Sequence, residues 1–153
     1  MKIEIARIPP EGLPLEGEEP ASILGLEDAP GVRFKDGIRY DLMATMAGDE
    51  LVVSGSLEMD AEFVCSRCAE FAVGRVEEPA FMVVEPIKDR TEVVDLTGEI
   101  REATILAFPN YPLCSRECKG LCPRCGANLN KKRCRCGKSA DVRWSALDDL
   151  SIK

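Results

Sequence analysis

Hydrophobic and polar positions alternate through much of the first two thirds of the chain. Between Leu51 and Phe63 the series Leu51, Val53, Gly55, Leu57, Met59, Ala61 and Phe63 is apolar or small, while the positions between are mostly Ser, Glu and Asp. A period of two is that of a strand with one face on a core and the other in water. Ile38 to Ala47 carries the same pattern more weakly, and Gly48-Asp49 supplies a turn between the runs, so the two predict a hairpin. Phe71 to Val84 returns as a further strand with Phe71, Val73, Val76, Phe81 and Val83. Lys2 to Ile8 also alternates, with Ile3 and Ile5 on one face, until Pro9 and Pro10 end it. The segment Glu11 to Gly31 is rich in Pro, Gly and Glu around an apolar island at Ile23 to Leu26, and it reads as an irregular arm.

The period changes after the charged break at Pro86 to Arg90. Asp95 or Thr97 caps a helix over about 97–108, whose stripe of Leu96, Ile100, Ala103 and Ala107 faces the sheet, and Pro109 stops it. Near the end, Trp144, Leu147 and Leu150 recur at helical spacing within Asp141 to Leu150 and predict a short closing helix. These elements predict an α+β, mainly β fold: an antiparallel meander or partly closed barrel with one packed helix and a C-terminal zinc-ribbon-like module. The expected division is a β body over 1–110 and a cysteine-rich module with its closing helix over 111–153.

Composition narrows the class. The chain has 153 residues, 45% of them hydrophobic and only 5% aromatic, so its core rests on Val, Ile, Leu and Met. Its start, MKIEIARIPPEG, has no apolar signal core and no later run is long enough to cross a membrane, which predicts a cytoplasmic protein without disulfides. Histidine is absent, which removes the commonest general base and the histidine triads of hydrolytic zinc enzymes. The expectation is a protein that is not an enzyme and takes no small-molecule substrate.

The cysteines then supply the chemistry. Six of the eight lie in the run CSRECKGLCPRCGANLNKKRCRC from Cys114 to Cys136, and the other two form the pair Cys65 and Cys68. Cys122-Pro-Arg-Cys125-Gly126 has the form of a zinc knuckle, in which two thiolates two residues apart grip one ion and the glycine accepts the backbone angles of the turn. Cys134 and Cys136 offer the answering pair, spaced CxC. Cys114 and Cys118 remain to meet Cys65 and Cys68 across the fold, or to join Cys122 and Cys125. Two Zn²⁺ ions follow, each held by four thiolates with no position left for a catalytic water, so both are structural. A thioredoxin-like use of Cys65 and Cys68 is disfavoured because the pair sits between strands. Cys118, Cys122 and Cys125 also fit the cluster motif of radical enzymes, but too little chain follows for that barrel. A redox or iron–sulfur enzyme is the remaining alternative.

Charge is uneven. The formal net charge is −7, yet Tyr111 to Lys138 holds eight basic residues against the single acid Glu117, while residues 1–31 hold seven acids against Lys2 and Arg7. Arg124, Lys131, Lys132, Arg133 and Arg135 are the candidate contacts for phosphates or for a protein partner, with Tyr111 or Phe108 able to stack on a base. The plain reading of the same residues is a solvated surface that balances thiolate charge.

CSRC after a strand, a helix ending in ILAFP, the run KGLCPRCGANLN, then CRCG and the terminal DVRWSALDDL together resemble the YceD-like family, called large ribosomal RNA subunit accumulation proteins. The resemblance spans roughly Leu42 to Leu150 and is most specific in Lys119 to Asn130. Val142 departs from it, standing where the family often has proline. The resemblance implies a bacterial role in accumulating large-subunit ribosomal RNA, with that RNA or a ribosomal protein as partner and no membrane. A protein–protein adaptor with purely structural zinc is the alternative within the same frame.

Overall fold

The spine of the structure is β5 (Glu50–Val64), the strand of cleanest alternation. In the computed structural model, which describes residues 1–136, its neighbours on one side are β4 (Ile38–Ala47) and then the short β3 (Val32–Phe34), both antiparallel to it. On the other side β6 (Phe71–Pro86) pairs with it antiparallel along its whole length. The hairpin and the return strand thus stand as the pattern predicts. Leu51, Val53, Leu57 and Met59 are each 2% exposed or less, so the alternating face of β5 is the floor of the core.

Period two fails once, and the failure is informative. Val76 and Phe81 of β6 are both buried although five positions apart, which a regular strand would forbid. The register slips between Gly55 and Leu57 because Pro79 and Ala80 together oppose Ser56, a β-bulge that turns Phe81 back to the core. Proline has no N–H to give the ladder, so it falls naturally at the interruption. Gly55 lies beside it at φ 155, where an added Cβ would come 2.1 Å from the Asp41 carbonyl oxygen.

Two expectations about the sheet change. The arm at Glu11 to Gly31 is not irregular throughout: β2 (Leu13–Glu19) pairs antiparallel with β4, from Leu13 opposite Ala44 to Glu19 opposite Ile38. As an outer strand it tolerates Pro14 and Gly17, and Gly17 makes room for the Tyr40 hydroxyl, which would lie 2.6 Å from a Cβ there. Leu24, in the 3-10 turn that follows, is fully buried, and its carbonyl accepts a hydrogen bond from Arg101 Nε at 3.1 Å. Next, the first strand is shorter than Lys2 to Ile8. β1 (Lys2–Glu4) pairs with β7 (Val93–Asp95), and a 3-10 turn at Ile5–Arg7 keeps Ile5 in the core beside Ile3. Of the expected meander or partly closed barrel, the antiparallel β4–β5–β6 meander is present and the barrel is not closed, since β2 and β6 are outer strands that do not pair with each other.

α1 (Thr97–Leu106) packs across the open face. Asp95 Oδ1 accepts from the Thr97 N–H at 3.0 Å and from its hydroxyl at 2.6 Å, anchoring the first turn. Leu96, Ile100 and Thr104 are buried, and the Thr104 hydroxyl satisfies itself on the Ile100 carbonyl at 2.7 Å. The helix stops two residues short of the expected 108 because Phe108 swings into the core, edge-on to Phe63 at 5.5 Å. That packing leaves Phe108 half-buried, whereas Tyr111 is exposed. The expected closing helix with Trp144, Leu147 and Leu150 lies outside the described residues.

Two glycines give opposite expectations. Gly55→Ala should lower unfolding stability by about 2–3 kcal/mol, because its backbone conformation and the Asp41 carbonyl both exclude a side chain. Gly98→Ala, inside α1 with nothing near its Cβ position, should raise stability by up to about 1 kcal/mol through helix propensity. Urea unfolding of both variants measures the pair.

Candidate metal centres

The first quartet is assembled from both ends of the body. β5 ends at Val64 and β6 begins at Phe71, and between them Cys65 to Cys68 form a tight turn closed by Cys65 N–H on the Glu70 carbonyl (2.8 Å) and Ala69 N–H on the Cys65 carbonyl (2.9 Å). Ala69 adopts a left-handed φ of 57, strain that a metal-gripping turn can hold in place. α1 then hands the chain to Pro109–Leu113, and Ser66 N–H on the Pro112 carbonyl (2.8 Å) seats that segment against the turn. Cys114 and Cys118 arrive with Cys68 and Cys114 sulfurs 3.7 Å apart and Cys65 and Cys118 sulfurs 3.8 Å apart.

The second quartet is local. A small hairpin sets Cys122 N–H on the Ala127 carbonyl (2.8 Å) and Gly126 N–H on the Cys122 carbonyl (2.9 Å), with Gly126 at a left-handed φ of 68. Cys134 and Cys136 close on it. In each quartet all four sulfurs lie within 4.8 Å of one another, so Cys114 and Cys118 group with Cys65 and Cys68 and not with Cys122 and Cys125.

The donor sets fit a tetrahedral ion. Four sulfurs at zinc–thiolate bond length from one centre lie about 3.8 Å apart, the spacing found between sulfurs across the first quartet. Electrostatics point the same way. Burial opposes ionisation of Cys65, but N–H groups of Cys114, Arg67 and Cys68 outweigh it and bring the thiol down to about 6. N–H groups of Cys125 and Arg124 bring Cys122 down to about 6 as well. Their neighbours move the other way: Cys114 is pushed up to about 12 by its hydrogen bond with Cys118, and Cys136 up to about 12 by its bond with Cys125. So many sulfurs in so small a space cannot all carry charge unless a cation lies among them. Each quartet could hold one metal ion.

The two quartets are tied together. Gly120, at φ 72, lets the chain pass so close to the first turn that a Cβ would lie 3.1 Å from the Arg67 carbonyl, which accepts the Leu121 N–H at 3.0 Å. Arg67 in turn donates from Nη1 to the Arg116 and Cys118 carbonyls at 3.3 and 3.2 Å. Asn130, on the far limb of the second module, accepts the Lys119 N–H at 2.8 Å and donates from Nδ2 to the Cys118 sulfur at 3.2 Å. Glu70 takes Lys131 Nζ at 2.6 Å and Asn128 Nδ2 at 3.4 Å. Gly120, Asn128 and Asn130 were not among the residues singled out from sequence. Their signal lies in the KGLCPRCGANLN run, whose glycine and asparagines hold one quartet to the other.

Among the candidate contact residues, Arg124, Lys132, Arg133 and Arg135 are exposed around the second quartet, and Arg116 and Lys119 are exposed beside them. Lys131 is exposed but committed to Glu70. Tyr111 is 81% exposed and stands apart, in a shallow groove with Val73 and Arg75 at the β6 side.

Two measurements test this arrangement. Asn130→Ala should weaken metal at the Cys65/Cys68/Cys114/Cys118 quartet by about 10–100-fold in chelator competition, as loss of a donor to a ligating sulfur does, with a smaller effect on the other quartet. Stripping metal with a chelator should speed amide exchange across 114–132 while Leu51–Phe63, whose core is independent of it, keeps its protection.

Comparison with known proteins places these features. The family model described as large ribosomal RNA subunit accumulation protein YceD matches residues 53–151, which takes in both cysteine quartets. An uncharacterised protein of Mycobacterium tuberculosis is 25% identical over 175 aligned residues, covering 98% of this chain and 81% of that one. An uncharacterised Mycobacterium leprae protein is 24% identical over 74% of this chain and 58% of its own length. The Arabidopsis thaliana large ribosomal RNA subunit accumulation protein YCED homolog 1, chloroplastic, is 42% identical over 58 residues, 37% of this chain and 18% of that protein. No solved structure matches. Among the described residues no helix is long and apolar enough to cross a membrane. With that match running from near the start of β5 through both quartets, the chain belongs to the YceD family of large ribosomal RNA subunit accumulation proteins.

Proposed function

We propose that this protein is a cytoplasmic, non-enzymatic factor for large-subunit ribosomal RNA accumulation that contacts RNA through a face held rigid by two structural zinc ions. The family and the chloroplast relative are named for accumulation of that RNA and not for a reaction. The observation that supports RNA contact is the placement of Arg124, Lys132, Arg133 and Arg135, all exposed, on a loop whose backbone is fixed at both ends by cysteine pairs. Guanidinium and ammonium groups on a fixed frame meet phosphates with little loss of backbone entropy, whereas the same residues on a free tail would have to be ordered first. All-sulfur sites leave no open position on the ion, so zinc contributes shape and not chemistry. Lys131 supports the frame through Glu70 and is not assigned to RNA.

Reversal of Lys132, Arg133 and Arg135 to Glu tests the reading while sparing the Lys131–Glu70 pair. The variant should keep its zinc, lose affinity for large-subunit RNA by about 100-fold or more, and show a shallower salt dependence. Unchanged RNA affinity together with an unchanged ribosome profile in cells would overturn it. Elemental analysis should find zinc at two per chain, in keeping with two quartets. Iron and colour in anaerobically purified protein would instead favour cluster chemistry.

A further inference from the structure

The charge is divided more sharply than the total suggests: residues 1–110 carry 23 acidic against 10 basic side chains, and residues 111–153 carry 10 basic against 4 acidic. The basic end has a proposed partner. Within the acidic body, a groove of about 370 Å³ runs between α1 and β6.

One wall is a single helix face, with Glu99, Glu102 and Leu106 at the spacing that stacks side chains along one side. The other wall is β6, contributing Glu78, Phe81 and Met82. The apolar part is open to solvent, with Met82 67% and Leu106 76% exposed. The carboxylates are not neutralised by neighbours: among the described residues none of Glu78, Glu99 and Glu102 forms an ion pair. Glu99 Oε2 is a buried side-chain oxygen with no hydrogen-bond partner among the described residues, an arrangement that costs free energy until a donor arrives. β6 is also an outer strand, so beyond Ala80, whose N–H is taken by Glu78 at 3.0 Å, part of its backbone faces away from β5.

We propose that this groove binds an extended protein segment in which Lys or Arg alternates with apolar residues. The basic side chains meet Glu99, Glu102 and Glu78, a donor completes the orphan oxygen, the apolar ones cover Met82 and Leu106, and main-chain groups bond to the β6 edge. RNA is the wrong occupant, because its phosphates would face three carboxylates. The proposal is independent of the RNA reading and gives the molecule two faces of opposite sign, one for nucleic acid and one for a basic protein segment.

The test uses the full zinc-loaded chain and a fluorescent synthetic peptide alternating Lys and Arg with Val and Leu, followed by anisotropy. The double variant Glu99→Gln/Glu102→Gln should weaken binding by about tenfold or more, whereas Glu11→Gln/Glu27→Gln, with equal loss of charge far from the groove, should change it by less than about twofold. Leu106→Ser should also weaken it, and a peptide with Glu in place of Lys and Arg should not bind. Equal loss in both double variants would reduce the effect to net charge and overturn the proposal, as would absence of binding. Self-association abolished by Glu99→Gln/Glu102→Gln would overturn it in favour of a second copy's basic loop as occupant. RNA affinity read in parallel should be unaffected by the groove variants, and peptide affinity unaffected by reversal of Lys132, Arg133 and Arg135, so either reading can fail alone.

Discussion

Mutual repulsion among closely spaced thiolates is the constraint on which the rest of this structure depends. Four sulfurs within 4.8 Å cannot all be charged without a cation among them, yet the turn at Cys65 and the knuckle at Cys122 each aim N–H groups at sulfur and favour the charged form. A bound cation resolves the conflict, and it resolves it only if the segments bearing the four sulfurs stay together. The body and the cysteine-rich segment are therefore held by the same electrostatic condition. Arg67, donating to the Cys118 carbonyl, and Glu70, pairing with Lys131, add links between the two, and Asn130 braces the Cys118 sulfur from within the segment.

Around this junction the molecule is polar in the electrical sense. The sheet and helix carry the acids, and the cysteine-rich loop carries the bases. Acids spread over a well-packed β body cost little there, because the buried cluster of Ile, Leu, Val and Met residues supplies the stability. Bases crowded beside thiolates are partly offset by them, which lets several arginines and lysines share a small loop without tearing it open. Each end thus solves its own electrostatic problem while presenting a field of opposite sign to the outside.

What could be read from the amino-acid sequence followed from how local each feature is. β4, β5 and β6 announce themselves because alternation on a half-buried strand is written residue by residue. The cysteine positions are equally plain, since thiolates in CxxC spacing have few other uses. β2 was hidden because its partner, β4, lies some two dozen residues away and because Pro14 and Gly17, acceptable on an outer strand, imitate the composition of a loop. The bulge at Pro79 and Ala80 was hidden for a similar reason: a one-residue slip between strands leaves no mark except two buried residues at the wrong spacing. Phe108 looked available beside the cysteines, and only the arrival of Phe63 and Phe34 from other strands shows that it belongs to the core. Gly120 and Asn130 make the same point at the site, since both act on residues contributed by other turns.

The sulfurs of Cys65 and Cys118 touch across 53 positions of sequence, and this separation matters before the protein is finished. A chain emerging from the ribosome exposes its first thiol pair while the matching pair is still unmade, an interval of roughly 3–10 s at ordinary elongation rates. Throughout that interval the pair has only half a coordination shell. A product truncated after the helix would keep the sheet and still lack half of the first quartet, so an ion held by that quartet would distinguish copies that carry both thiol pairs from those that carry one.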